Sequence, residues 1–180
     1  MLTIEIPDNK EVSKKNKEFL KYFKERLGSV PNLYASMMHS ENALSNYYQF
    51  HTRKVSLSKQ ECEAIMLVVS QKNNSLYCLS VHTMIGKLNG FDEDQILQLR
   101  RGNAEFDKKL DALVKFIKNV VEEKNRISVQ LLQQCFKMGY NHENLIDALH
   151  VVGDSFITNF TSKVLNVPID FPLAKELKEH

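Results

Sequence analysis

With 180 residues, 43% of them apolar and 26% charged, the chain is long enough to bury its own core and has the balance of an ordinary soluble globular protein. A net charge of +2 is too mild to point to nucleic acid or an acidic membrane surface as the main partner. Three widely spaced cysteines, Cys62, Cys78 and Cys135, exclude a disulfide framework or a zinc ribbon, and the longest apolar run, AIMLVV, is far too short to span a bilayer.

The chain opens with MLTIEIPDNKEVSKK, which has no apolar run after a basic start and so does not read as a secretory signal. Together with the cysteine usage this implies a reduced, cytoplasmic protein. Apart from a brief alternation in LTIEI, the period is helical throughout. Residues 11–27 form the first predicted helix, with Phe19, Leu20, Phe23 and Leu27 as its stripe and Gly28 as its stop. Its lysines, Lys14, Lys15, Lys17, Lys21 and Lys24, are interspersed with Glu11, Glu18 and Glu25, which describes a solvated face. Pro31 can open a short helix in SVPNLYASMMHS, and another is expected over residues 41–55.

SLSKQECEAIMLVVSQKNN begins with a capping box, Ser58 with Glu61. Residues 64–69 are apolar on every side, so this helix belongs at the centre. Asn73 and Asn74 loosen it before SLYCLSVHTMIGKLNG starts the next helix, which runs to Asn89 and Gly90. DEDQILQLRRG is a short helix with acids first and arginines last, as the helix dipole favours. Residues 107–124 are amphipathic, with Leu110, Leu113, Val114, Ile117 and Val121 inward. Residues 128–138 follow, ended by Gly139, and then a long helix from Asn141. The tail VPIDFPLAKELKEH is expected to run over the surface. The fold class is all-α, a helical bundle, read as one domain over 1–180. The long last helix and the tail are both candidates for an oligomer contact.

The chemistry concentrates in SLYCLSVH. Cys78 and His82 stand at i and i+4 and share a helix face, with Ser75 one turn earlier on the same side and Tyr77 about a quarter turn away. A histidine beside a thiol can stabilise the thiolate and act as its base. On the preceding helix Glu61 and Glu63 are about 200° apart, so only one is expected to face inward. Glu61 has its duty in the capping box. Glu63 aligns with Met66, Leu67 and Ser70, where a carboxylate needs a partner, and His82 is the natural one. The competing reading makes Cys78 a small buried hydrophobe and His82 a satisfied core histidine. No other histidine has metal-ligand spacing, so no metal and no cofactor is expected. His150 is placed inside, His142 outside at a helix start, and His39 at the end of the second helix.

The order VPNLYASMM, LSKQECEAIMLVVS, SLYCLSVH, with Glu63 eleven residues before the S-x-x-C-x-x-x-H stretch, resembles the carboxymuconolactone decarboxylase family, in particular its alkylhydroperoxidase-like (AhpD-like), peroxidase-related branch. The resemblance implies an AhpD-like helical bundle that assembles into trimers or hexamers. It also implies that Cys78 matches the cysteine that attacks a hydroperoxide, assisted by Glu63 and His82. The resolving cysteine of the family's C-x-x-C is replaced by Ser75, and Tyr77 stands where some members have a further histidine. Ser75 and Tyr77 are then pocket residues.

A serine cannot close a disulfide, so the two-cysteine cycle is not expected. Cys62 and Cys135 both sit on core faces and have no spacing that argues for resolution. Three readings follow. The first is a one-cysteine peroxidase that acts on a small hydroperoxide and is restored by an external thiol. The second is acid–base chemistry on an organic acid by Glu63 and His82, of the decarboxylase type, with Cys78 only lining the pocket. The third is a binding or structural member of the family without turnover.

Overall fold

The computed structural model describes residues 3–5, 7, 12–123 and 126–177. Among them there are nine helices and no strand, in keeping with the all-α expectation. Residues 3–5 of LTIEI form no strand, and the expected helix start at Glu11 lies outside the described residues. The chain forms two compact units. One comprises the described residues of 1–54 and 161–170, the other those of 55–160 and 171–180.

The first unit contains α1 (Lys14–Leu27), α2 (Asn32–Met37) and α3 (Ala43–His51). The Ser13 hydroxyl caps α1 by accepting from the Asn16 amide, and Gly28 ends it in the left-handed region at φ 78°. The fully buried Asn16 donates from Nδ2 to the carbonyls of Met38 (3.0 Å) and Ser40 (3.1 Å), bolting α1 to the chain that leaves α2. Phe23 is the buried centre of an aromatic cluster, 4.9 Å from Tyr34 and 5.3 Å from Tyr48 between ring centroids. Leu27, expected on the inward stripe, is exposed, because the last turn of α1 runs past the rings that cover Phe23.

The second unit is built round α4 (Lys59–Lys72). The capping box is present in full: the Ser58 hydroxyl accepts from the Glu61 amide, and the Glu61 carboxylate accepts from the Ser58 amide. Every residue from 64 to 69 is buried, so the all-round apolar run does mark the central helix. Around it lie α5 (Leu76–Leu88), α6 (Glu93–Arg101) and α7 (Lys108–Glu122), followed by α8 (Val129–Lys137) and α9 (His142–Val164), which continues to the residues of the first unit. Leu67, Leu99, Leu113, Ile117 and Ala148 are all fully buried in one apolar cluster. Filling such a cluster is the main driving force for this unit.

The tail is anchored rather than merely draped. The Ala174 amide donates to Ser80 Oγ at 3.1 Å, and the Lys175 carbonyl accepts from Arg100 Nη1 at 2.7 Å. Arg100 itself is buried and also donates to Gln71 Oε1 at 2.8 Å, which satisfies a guanidinium that burial alone would penalise. His150, expected inside, is exposed, because the inward face of α9 lies elsewhere on the helix. No described helix is long and apolar enough to cross a membrane.

Candidate active site

The site grows from the junction of α4 and α5. Asn73 closes α4, and Asn74 adopts the left-handed conformation at φ 50°. The Ser75 amide then donates to the Ser70 carbonyl at 3.0 Å, and the Asn74 amide to the Gln71 carbonyl at 3.1 Å. This pair of bonds is a Schellman motif with asparagine in place of the usual glycine. Asn73 and Asn74 therefore end α4 sharply rather than loosening it.

Ser75 leaves that motif and at once becomes the N-cap of α5. Its hydroxyl accepts from the Cys78 amide at 3.4 Å, and the residue is fully buried. The family resemblance puts Ser75 where a cysteine would stand. Locally it is a helix cap, one of the residue types best suited to that position. Cys78 is thereby fixed in the first turn of α5. It is 2% exposed.

His82 lies one turn further along α5 and is 8% exposed. Its Nδ1 stands 2.8 Å from Glu63 Oε2 on α4, and both side chains are nearly covered. The expected partnership of Glu63 with His82 is thus present. An ionised carboxylate can only accept, so Nδ1 carries the proton of this bond. Nε2 is left as the nitrogen able to take or give a second proton. The arrangement of a carboxylate holding one nitrogen and freeing the other is that of a general base with its orienting group.

Glu61 is also largely covered, although only one of the two glutamates was expected to face inward. Its Oε1 accepts from the Tyr140 hydroxyl at 2.8 Å, and Lys109 Nζ lies 3.7 Å away. A central helix has neighbours on opposite sides, so residues about 200° apart can both meet partners. Burial raises the Glu61 carboxyl, but the Ser58 amide, the Tyr140 hydroxyl and Lys109 outweigh it and hold it below the usual range. The same cluster and burial push the Tyr140 hydroxyl well up.

The other pocket residue, Tyr77, is buried and turned about 100° from Cys78 round α5. Its ring meets Phe171 of the tail edge-on, 5.8 Å between centroids. The other two cysteines lie where the sequence placed them. Cys62 packs against the apolar cluster. Cys135 is fully buried, its Sγ 3.4 Å from the Ala112 carbonyl, and burial pushes its thiol up to about 11. His39 is bonded at Nε2 to the Glu5 carbonyl at 2.8 Å, and His142 rests against Phe136. Among the described residues no three His, Cys, Asp or Glu side chains gather as metal ligands would.

Residues that the sequence reading did not single out secure the junction. Asn159 on α9 donates from Nδ2 to Ser70 Oγ at 3.1 Å and accepts from Asn73 Nδ2 at 3.0 Å. It pins the end of α4 just before the turn that sets Ser75. The left-handed Asn74 could have been found from sequence, since asparagine after an apolar helical run is a recognised stop. The Asn159 clamp could not, because nothing local links it to a residue so distant in the chain.

Residues 40–117 match the model of the Carboxymuconolactone decarboxylase family. No curated protein matches the sequence significantly. Among solved structures, an uncharacterized peroxidase-related protein from Silicibacter sp. TM1040 superposes with a TM-score of 0.82 at 21% identity, over 93% of this chain and 91% of that one. The AhpD core of a peroxidase-related protein from Ralstonia eutropha JMP134 gives 0.83 at 16%, over 93% and 91%. The debrominase Bmp8 in complex with 2,3,4-tribromopyrrole gives 0.75 at 14%, over 94% and 93%. At these identities the likeness is one of fold. Residues 40–117 are thus similar to the Carboxymuconolactone decarboxylase family, and the chain carries the all-α, AhpD-like fold of these structures.

Proposed function

We propose that the protein is a one-cysteine peroxidase that acts on small hydroperoxides. The carrying observation is the 2.8 Å bond between Glu63 and His82, one helical turn beyond a cysteine in the capped first turn of α5. His82, oriented by Glu63, takes the Cys78 proton. The thiolate sulfur attacks the peroxide oxygen, the O–O bond breaks, and the alkoxide leaves with the proton from His82 as an alcohol. Cys78 is oxidised to a sulfenic acid and the peroxide is reduced by the same two electrons. Ser75 cannot resolve it. Two equivalents of an external thiol return Cys78 to the thiol, releasing water and the external disulfide.

Close burial of Cys78 restricts the oxidant to small molecules such as hydrogen peroxide or a short organic hydroperoxide. The reaction needs a reducing compartment, which fits the cytoplasm. No metal or cofactor enters this scheme, and neither nucleic acid nor a membrane is its target. Following the family resemblance, we infer a homo-oligomer, a trimer or hexamer. The test is to treat reduced protein with a small excess of hydrogen peroxide and trap sulfenic acid with dimedone. Rapid adduct formation at Cys78, located by peptide mass spectrometry, is expected. Labelling no faster than that of free cysteine would remove the proposal.

A second reading is supported by the same bond. Glu63 and His82 form a complete proton-shuttling pair that does not need the thiol. Acid–base turnover of an organic acid would survive Cys78→Ala, whereas peroxide reduction would not.

A further inference from the structure

The hydrogen bonds of Asn144 and Asn159 fix how α9 lies on α4. Near the start of both helices, Asn144 Nδ2 donates to Ser56 Oγ at 3.0 Å. Near the end of α4, Asn159 meets Ser70 Oγ at 3.1 Å and Asn73 Nδ2 at 3.0 Å. The two helices therefore run in the same direction. Round α4, Ser70 stands about 20° from Glu63 on one side and Leu67 about 40° on the other, at ~100° per residue. Leu67 lies under α5, its Cδ1 3.7 Å from where a Cβ on Gly86 would stand. Glu63 thus occupies the strip of α4 between α5 and α9.

The same bonds set the levels along that strip. Helix α5 returns antiparallel to α4, since Ser75 meets Ser70 and His82 meets Glu63. Cys78, between Ser75 and His82, is then level with the turn of α4 that carries Met66 and Leu67. Helix α9 rises with α4, and Asn159 spans Ser70 and Asn73. Ser155, one turn before Asn159 and on the same face, is level with that same turn. Ser155 and Cys78 therefore flank the Glu63 strip at one height, from α9 and from α5.

The state of the Ser155 side chain is unusual. The residue is 1% exposed, and its Oγ has no hydrogen-bond partner among the described residues. A serine inside a helix can turn its hydroxyl back to a carbonyl of the preceding turn. Ser80 does so to Leu76 at 2.8 Å, and Thr158 does so to Ser155 at 3.0 Å. Ser155 does not. A buried hydroxyl with no partner carries a desolvation penalty, and alanine would fill the same place without it. Its donor is unspent beside a strip that already holds a thiol, an imidazole and a carboxylate.

We propose that Ser155 is a substrate-contacting residue of the Cys78 site, its hydroxyl donating to the departing oxygen of a small hydroperoxide. This rests on the peroxidase reading above and adds a residue to it. As the sulfur–oxygen bond forms and the O–O bond breaks, negative charge gathers on the leaving oxygen, where a fixed donor is most effective. Ser155 keeps its own proton; His82 supplies the one that completes the alcohol or water. The test follows Cys78 oxidation by hydrogen peroxide in the full chain. Ser155→Ala is expected to slow it by roughly 10-fold or more. The pH profile of the rate is expected to keep its midpoints, since Glu63 and His82 are untouched. The urea midpoint is expected to stay or rise, because no bond within the protein is lost. Should Ser155→Ala not fold, Ser155→Gly, which also lacks the hydroxyl, gives the rate. A fast wild type with an unchanged rate in the variant would overturn the role of Ser155 alone. So would a lowered urea midpoint or a displaced pH profile, which would mark the hydroxyl as structural or as a partner of the thiol. Wild-type oxidation no faster than that of free cysteine would remove the peroxidase reading itself.

Discussion

Glu63 Oε2 lies 2.8 Å from His82 Nδ1, so a carboxylate on α4 holds the ring that stands one turn beyond Cys78 on α5. Both side chains are close to full burial. Removing either partner leaves the other without its counter-group in a poorly solvated place, which typically costs about 3 kcal/mol. Glu63→Gln keeps a hydrogen-bond acceptor but lets the ring lose its preferred tautomer. Oxidation of Cys78 by hydroperoxide is expected to slow roughly 100-fold in His82→Ala and by a smaller factor in Glu63→Gln. Stopped-flow rates for the two variants check this. Equal rates in wild type and His82→Ala would make the pair structural only.

Ser75 holds two roles that a cysteine fills unequally. Ser75→Cys recreates the C-x-x-C spacing and is expected to form a disulfide with Cys78 on mild oxidation, seen as loss of one pair of titratable thiols. The same change weakens the N-cap of α5, as Ser75→Ala does, by about 1 kcal/mol in reduced protein. Urea denaturation with and without reductant separates the effects. A folded Ser75→Cys protein that keeps all its thiols under oxidation would show that the junction has moved away from the family's geometry.

Cys135 offers an internal control for thiol reactivity. Burial pushes its thiol up to about 11, so almost no thiolate exists there at neutral pH. In native protein it is expected to react with Ellman's reagent only as fast as the unit opens, and promptly in 6 M guanidinium, a concentration of order twice that which unfolds typical domains. Peptide mapping of a labelling time course identifies each cysteine. Prompt native labelling at Cys135 would mean that α7 and α8 part far more readily than their packing implies.

Glu61 should shape the acid side of the stability curve. Burial raises its carboxyl, yet the Ser58 amide, Tyr140 and Lys109 bring it below 4.5. A carboxyl lowered by folding adds stability above its unfolded pKa, and that stability is lost as the pH falls through the folded value. Glu61→Gln is therefore expected to cost about 1 kcal/mol at neutral pH, with the gap to wild type closing below about pH 4. Urea midpoints measured from pH 7 down to pH 3 follow the gap. Parallel curves would assign no such role to Glu61.

Much of this protein can be read from its sequence because helices are local objects. The Ser58–Glu61 box, the apolar run at 64–69 and Gly28 announce where helices begin, where one is buried and where one stops, since caps and periodicity depend on residues within a turn or two. The pairing of Glu63 with His82 was also legible, because a carboxylate on an apolar face demands a partner and the next helix supplied one. Tertiary structure decided the rest. That Glu61 is covered as well as Glu63 depends on what packs on opposite sides of α4. That Asn159 clamps Ser70 and Asn73 depends on α9 arriving beside α4, a meeting no local pattern encodes. That α9 buries Asp154, Ser155, Thr158 and Asn159 beside Leu145, Ala148, Val151 and Val152, while Ile146, Leu149, Ile157 and Phe160 stay about half exposed, is revealed only by the packed chain. A sequence specifies which residues share a face of a helix; which face is buried is set by the free energy of the whole assembly of helices.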